Sequence, residues 1–247
     1  MTHTAAGVFT RREPLADYLA AGDWVSSSML RRFSRGEDPA PRLPTVAEYA
    51  RFTLGDAFHT LLLEPHRFGE DFLTLDGNDV LPPATTETEV FARRWLQPAT
   101  ARALRAMRDN ALACPLGPVA RWMADGEMER SIYWTDAAGL RSKARPDCLT
   151  ADTIVEVKTV TDARPEAFAQ TRAHFGYDLQ AAHYVEAVTA LTGRMLPFAW
   201  VTVEISPPYT AWVHILAPAD LDAARRALEA LKRAFAACAR PLAPSSC

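Results

Sequence analysis

Asp147, Glu156 and Lys158 are the residues of this sequence whose types and spacing could carry chemistry. Asp147 closes the segment Lys143-Ala144-Arg145-Pro146-Asp147, and Glu156-Val157-Lys158 begins nine residues later. Pro146 marks a strand end, the stretch 149–153 with Thr150, Asp152 and Thr153 reads as a turn, and Ile154 to Lys158 reads as a strand. Side chains alternate faces along a strand, so Glu156 and Lys158 project on the same side, one pleat apart. A hairpin folded over the turn brings Asp147 next to Glu156. Paired carboxylates suit Mg²⁺ or Mn²⁺, hard cations that take oxygen ligands and keep several waters. A cation held there polarises a phosphoryl oxygen and helps a water ionise. An ammonium alongside can orient that water or stabilise charge developing on the phosphate. Taken alone, the Glu-Val-Lys triplet is equally what a solvated surface hairpin carries, with Lys158 in a salt bridge to Glu156, and Asp147 paired to Lys143 or Arg145.

The elements that must position these residues follow from periodicity. Residues 12–21 carry a short helical pattern, and Ser26 or Ser27 can cap a second helix, Met29 to Phe33, ahead of a Gly36/Pro39/Pro41/Pro44 linker. A longer helix starts near Thr45 with Val46, Tyr49, Ala50, Leu54, Ala57, Phe58, Leu61 and Leu62 on its apolar face. His59 falls outside that face, and Gly55, one turn earlier, would allow close approach to another backbone. Residues 76–88 read as a loop, and Glu89 to Met107 or beyond as a helix interrupted by Pro98. A short helix, 118–124, follows the breaks at Cys114-Pro115 and Gly117-Pro118.

From Glu129 the period changes to two, with strands expected at 129–135, 140–147 and 153–160. A helix from Tyr177 to Leu191, a strand from Phe198 to Ile205, a turn at Pro207-Pro208, a strand from Tyr209 to Leu216 and an amphipathic helix from Pro218 through Ala237 complete the pattern. Segment 161–176, with Arg164, Arg172 and His174, fits none of these patterns and reads as a plain connector in preference to a mobile loop over the substrate. Gln180 and Tyr184, four residues apart, share a helix face, and His183 is expected at the surface. The fold class is α/β, a mixed central sheet flanked by helices, in one domain over 1–247: a mainly helical front (1–125), a sheet core (126–216), and a C-terminal helix and tail (217–247).

Composition sets bounds on function. There is no apolar run long enough to span a membrane and no basic-then-apolar leader, so a cytoplasmic protein is expected. Cys114, Cys148, Cys238 and Cys247 lack C-x-x-C spacing, and no iron–sulfur cluster is expected. No G-x-x-x-x-G-K-[ST] loop is present, which disfavours a nucleotide-driven motor. The net charge of −3 confines any attraction for nucleic acid to a local patch. Arg93, Arg94, Arg102, Arg105 and Arg108 form the densest basic stretch, and the last three recur along one side of a helix. That trio reads either as a solvated helix face or as a DNA contact.

Pro146-Asp147…Glu156-x-Lys158 resembles the PD-(D/E)XK nuclease signature. The surrounding segments resemble more specifically the exonuclease VIII (RecE-type) branch, related to RecB-like and lambda-exonuclease-like nucleases. Those segments are Trp24 to Leu30, Leu54 to Pro65, Glu129 to Trp134 with Gly139 to Lys143, and Tyr177 to Tyr184, in the family's order. The resemblance implies Asp147 and Glu156 as metal ligands with the Val157 carbonyl, His59 as a further ligand, and Glu129 at a second metal or steadying a ligand. It implies Gln180 and Tyr184 near the scissile strand, with Tyr177 a weaker candidate. Arg145 joins Arg102, Arg105 and Arg108 as a candidate DNA contact. The implied activity is Mg²⁺- or Mn²⁺-dependent, with one or two ions per site. It is 5′-to-3′ hydrolysis from duplex DNA ends in recombination, commonly in phage or prophage systems. A single-strand annealing protein is the implied partner, and a homo-oligomeric ring the implied assembly. A structure-specific or single-strand endonuclease on the same fold, and a non-catalytic DNA-binding or assembly module, are the alternatives.

Overall fold

A computed structural model describes residues 2–4, 7–40, 46–74 and 94–239. The chain opens on an antiparallel pair, β1 (Thr2–Thr4) and β2 (Val8–Arg11), then α1 (Leu15–Ala20) and α2 (Ser27–Ser34). Ser26 caps α2, its hydroxyl accepting the Met29 N–H at 3.3 Å. Next come α3 (Val46–Leu63), α4 (Pro65–Asp71), β3 (Phe72–Thr74), β4 (Arg94–Leu96), α5 (Pro98–Leu112) and α6 (Val119–Asp125). The next stretch holds β5 (Glu127–Met128), β6 (Ser131–Thr135), β7 (Arg141–Ala144), β8 (Cys148–Leu149) and β9 (Ile154–Val160). It is followed by α7 (Pro165–Phe175), α8 (Tyr177–Thr192), β10 (Phe198–Glu204), β11 (Ala211–Ile215) and α9 (Pro218–Ala239).

The expected α/β class, a mixed sheet between helices, is what the chain forms, with specific departures. The front is not only helical, because β1 and β2 extend the β6–β7 pair into a four-stranded antiparallel sheet. Of the helix expected over Glu89 to Met107, residues 89–93 lie outside the described residues, and the described helix begins at Pro98. Residues 94–96 form β4, and Pro98 sits in the first helical turn, where its missing N–H costs nothing. Segment 161–176 is not a plain connector but contains α7, ended by Gly176 at φ +67. The expected strand 140–147 stops at Ala144, and the expected strand 129–135 starts at Ser131, because Glu129 adopts φ +52. The loop expected over 76–88, together with Arg93 and Cys247, lies outside the described residues.

The main sheet has the order β11-β10-β9-β8-β5, with β9 and β10 parallel and the other pairs antiparallel. Its two central strands are rich in β-branched and aromatic residues, as a pleated buried surface requires. Alternation divides them between two cores. Ile154, Val160, Phe198 and Trp200 face α2, α8 and α9, whereas Val155, Val157, Ala199, Val201 and Val203 face α3, α5 and α6. Each fully buried side chain of this size contributes about 1.5–3 kcal/mol relative to exposure. Strand β8 covers only Ile154 and Val155 of β9, so from Glu156 onward no strand among the described residues lies beside that edge. The chain leaves the ladder through Arg145-Pro146-Asp147 just there, and the chemistry assembles on the open edge.

Candidate active site

Asp147 reaches β9 by its side chain rather than by strand pairing. Its Oδ2 accepts the Val157 backbone N–H at 2.7 Å, and its own N–H donates to Glu156 Oε1 at 3.2 Å. A strand residue's N–H and C=O point the same way, so the Val157 carbonyl is directed to this edge too. Lys158 Nζ donates to Glu156 Oε2 at 2.7 Å. The expected side-by-side arrangement of the three residues is therefore observed, on the sheet face toward α8.

The opposite face supplies His59. It lies on α3 one residue after the buried Phe58, and its Nδ1 is 3.8 Å from Asp147 Oδ2. Glu129 completes the group. Its N–H donates to the Asp147 carbonyl at 3.1 Å, and its carboxylate accepts from Arg145 Nε at 2.6 Å. A left-handed φ is unfavourable for a residue with a Cβ. It is maintained here by that backbone bond and by the ion pair.

Ligand atoms of His59, Glu129 and Asp147 all lie within 4.8 Å of one another. Burial lowers the His59 pKa, with Lys158 adding to it, so its ring is neutral and has a lone pair to offer. Burial raises the carboxyl of Glu129 in spite of Arg145. Burial also pushes Asp147 up to about 7, Lys158 opposing and Glu129 reinforcing the shift. Glu156 rises to about 7, through burial and then through Asp147. For Lys158, burial opposes the charge, yet Glu156 and Asp147 outweigh it and hold the ammonium above its ordinary value. Buried carboxylates whose negative charge is undercompensated, beside a neutral imidazole, are a donor set that fits a divalent cation.

The geometry departs from expectation at several residues. Glu156, expected as a ligand, is not one of the three residues of that group; its oxygens accept from the Asp147 N–H and from Lys158 Nζ. Arg145, expected on DNA, is buried and bonded inside the protein. It holds Glu129 and also donates to the Glu13 carbonyl at 2.9 Å and Ser131 Oγ at 3.1 Å. His183, expected at the surface, is wholly buried, its Nε2 bonded to the Lys143 carbonyl at 3.0 Å. Gly55 is not required for close approach, since an added Cβ would meet only Thr159 Oγ1 at an ordinary 3.5 Å.

Gln180 Nε2 donates to the Tyr184 hydroxyl at 3.2 Å, and burial, then the charge of Glu156, raises the Tyr184 pKa. Tyr177 lies under the Lys158 ammonium, its ring centroid 5.1 Å from Nζ. Sequence reasoning ranks Tyr177 low. The signal for it is its place one α-helical turn before Gln180 and two before Tyr184, on the same helix face. Arg102 and Arg105 are exposed on α5, while Arg108 is half-buried with Asp109 at 3.8 Å.

Residues 26–247 match a family model described as a PDDEXK-like domain of unknown function (DUF3799). The chain belongs to this family. Pro146-Asp147, Glu156 and Lys158 are the residues of this PDDEXK-like chain that spell the PD-(D/E)XK pattern, and they meet at the open edge of β9. A crystal structure of a protein from Eubacterium rectale, described as "Putative exonuclease", superposes with a TM-score of 0.57. The two chains are 13% identical, over 96% of this chain and 97% of the other, so the likeness is one of fold. No curated protein matches the sequence. The N-terminal 25 residues precede the family match, yet β2 pairs with β6 and Glu13 contributes to the support of Arg145.

Proposed function

We propose that this PDDEXK-like protein is a metal-dependent deoxyribonuclease that hydrolyses phosphodiester bonds from duplex ends. The observation that carries the reading is the convergence of His59, Glu129 and Asp147 within 4.8 Å, next to a Lys158 ammonium held 2.7 Å from Glu156. His59, Glu129 and Asp147 would hold the cation, with the Val157 carbonyl directed to the same edge. Once bound, it supplies Lewis-acid polarisation of a phosphoryl oxygen and a lowered pKa for water. The protein's own part is to orient and to stabilise. Glu156 fixes Lys158, whose charge persists because two carboxylates face it, and Lys158 then meets charge developing on the scissile phosphate. Gln180 and Tyr184 present polar groups from α8 to the strand being cut. Direct attack by water, without a covalent enzyme intermediate, is the reaction proposed.

The 5′-to-3′ polarity, the recombination role in phage or prophage systems, the annealing partner and a ring assembly rest on the sequence resemblance to RecE-type exonucleases. The test is degradation of end-labelled linear duplex DNA beside closed circular DNA, with Mg²⁺ or Mn²⁺, an EDTA control and Lys158→Ala. Loss of the linear substrate alone, stopped by EDTA and by the substitution, is expected, and the released label gives the polarity. Cutting of the circle would replace the reading with an endonuclease. Inertness toward both DNAs with either metal would remove the catalytic reading.

A further inference from the structure

Helix α7 ends in Phe175, which is 45% exposed although it is a large apolar side chain. A lone exposed apolar residue is ordinary. This one is not alone. Gly176, at φ +67, turns the chain sharply into α8, so that Phe175 stacks on Tyr177 with ring centroids 5.5 Å apart and planes inclined by 19°. His174 stands edge-on to Phe175 at 4.7 Å. Tyr177 in turn lies 5.1 Å beneath Lys158 Nζ. Two stacked rings thus lead from the catalytic ammonium out to solvent.

Cations border this lane. Arg31 of α2 and Arg35, which follows its last residue, donate to the Phe175 and His174 carbonyls at 2.9 and 2.8 Å, which fixes the end of α7. Neither forms an ion pair with a carboxylate among the described residues, whereas the arginines of α7 and its approach do: Arg164 with Asp162, and Arg172 with Asp178 and Asp220. Each guanidinium has five N–H donors, so most of those on Arg31 and Arg35 are left for another acceptor. Burial, and then the like charge of Arg35, depress the Arg31 pKa, Glu37 opposing the shift from a distance.

We propose that Phe175 and Tyr177 form a stacking platform for an unpaired base of a nucleic-acid strand whose phosphates are met by Arg31 and Arg35. The inference deepens the nuclease reading and rests on it for the position of the scissile phosphate. A base has a π-face only when it is not stacked within a duplex, so the platform selects a strand that is single or frayed at its end. Flat rings flanked by uncompensated arginines are complementary to that chemistry in both shape and charge.

The test is binding without cleavage, in EDTA, using a fluorescein-labelled single-stranded oligonucleotide and a blunt duplex of the same length. A second oligonucleotide carries 2-aminopurine near its end. Phe175→Ala is expected to weaken single-strand binding by about tenfold, to leave blunt-duplex binding little changed and to abolish stacking-induced quenching of 2-aminopurine. Phe175→Trp should restore both. Arg35→Gln should make the salt dependence of single-strand binding shallower, by about 0.7 in slope for one phosphate no longer neutralised. Unchanged single-strand affinity in Phe175→Ala, or an equal loss for the blunt duplex, overturns the proposal. Because no hydrolysis is needed, Phe175-dependent binding by a protein inert in the nuclease assay would sink the nuclease reading and leave the platform standing.

Discussion

Glu129 combines an unfavourable backbone conformation with a buried charge, and both costs are tied to the same candidate metal centre. Its φ of +52 and the rise in its carboxyl pKa through burial are tolerated because Arg145 and the Asp147 carbonyl hold it in place. Glu129→Gln keeps the shape and an acceptor for Arg145 but removes the charge. Metal-free protein carrying it should melt below the wild-type temperature, because the buried Arg145 loses its ion-pair partner, and the shift in Tm produced by Mn²⁺ should shrink by at least half. A variant with the full metal-induced shift would remove Glu129 from the ligand set. His59 sharpens the choice of ion, because imidazole nitrogen suits Mn²⁺ better than Mg²⁺. Titration calorimetry should therefore show tighter Mn²⁺ binding, and His59→Ala should narrow the gap between the two ions.

The same residues predict a pH dependence. Asp147 and Glu156 are raised to about 7 in the metal-free fold, above the usual carboxylate range. A carboxyl raised on folding adds stability while protonated; that contribution is complete below its unfolded pKa and is lost as pH rises through about 7. A cation competes with the same protons, so the stabilisation it confers must grow between pH 5.5 and 8. One displaced proton corresponds to about tenfold in apparent affinity per pH unit. A metal-induced Tm shift that stays flat over that range would show the carboxyls to be already ionised.

At the scale of elements, the site depends on how β8 is held, because Cys148 follows Asp147 directly. Gly126, between α6 and β5, explains part of this. A Cβ there would lie 2.3 Å from Cys148 Sγ and 2.6 Å from the Trp122 carbonyl, contacts that backbone cannot relieve cheaply. Gly126→Ala should cost about 1–3 kcal/mol by overpacking, read by urea denaturation, and should lower activity beyond the loss of folded protein as Asp147 shifts. Retention of both would show that β8 yields locally. Which elements were legible in the sequence follows the same logic. The apolar runs of β9, β10 and α8 and the amphipathic pattern of α9 are local signals, and the Asp147–Glu156–Lys158 constellation lies within twelve residues. Helix α7 was not legible because its apolar pattern is weak: only Phe168 is buried on it. The inward role of Arg145 was hidden for another reason. Its partners, Glu13 and Glu129, lie far away in sequence, and nothing local distinguishes a buried arginine from one on DNA. His183 likewise sits in an apolar helix segment whose every neighbour from Ala181 to Val185 is buried, which a reading by residue type alone passes over.

At the scale of the molecule, two sheets must keep a fixed relation if residues from β9, α3 and the β5–β6 junction are to meet. Helix α9 packs on α8 and α2, and one of its side chains reaches the four-stranded sheet. Lys232 Nζ, almost wholly buried, lies 2.8 Å from Asp136 at the end of β6 and 2.9 Å from Glu186 of α8, over the Trp134 ring. Glu186 also accepts the Trp134 indole N–H at 3.1 Å. Removing one member of a buried ionic group leaves the others unpaired in low dielectric, at a cost of about 3–5 kcal/mol. Asp136 retains three other donors, the Ala138 and Leu140 N–H groups and the Ser142 hydroxyl, which moves the expected loss for Lys232→Met toward the lower end. No part of the triad belongs to the metal-binding group, so the surviving folded protein should bind Mn²⁺ with wild-type affinity. Urea denaturation and calorimetry on one preparation separate the two effects. A loss below about 1 kcal/mol would mean that apolar packing of α9 alone joins the sheets, and a parallel fall in metal affinity would mean that the triad sets the geometry of the open edge as well as its stability.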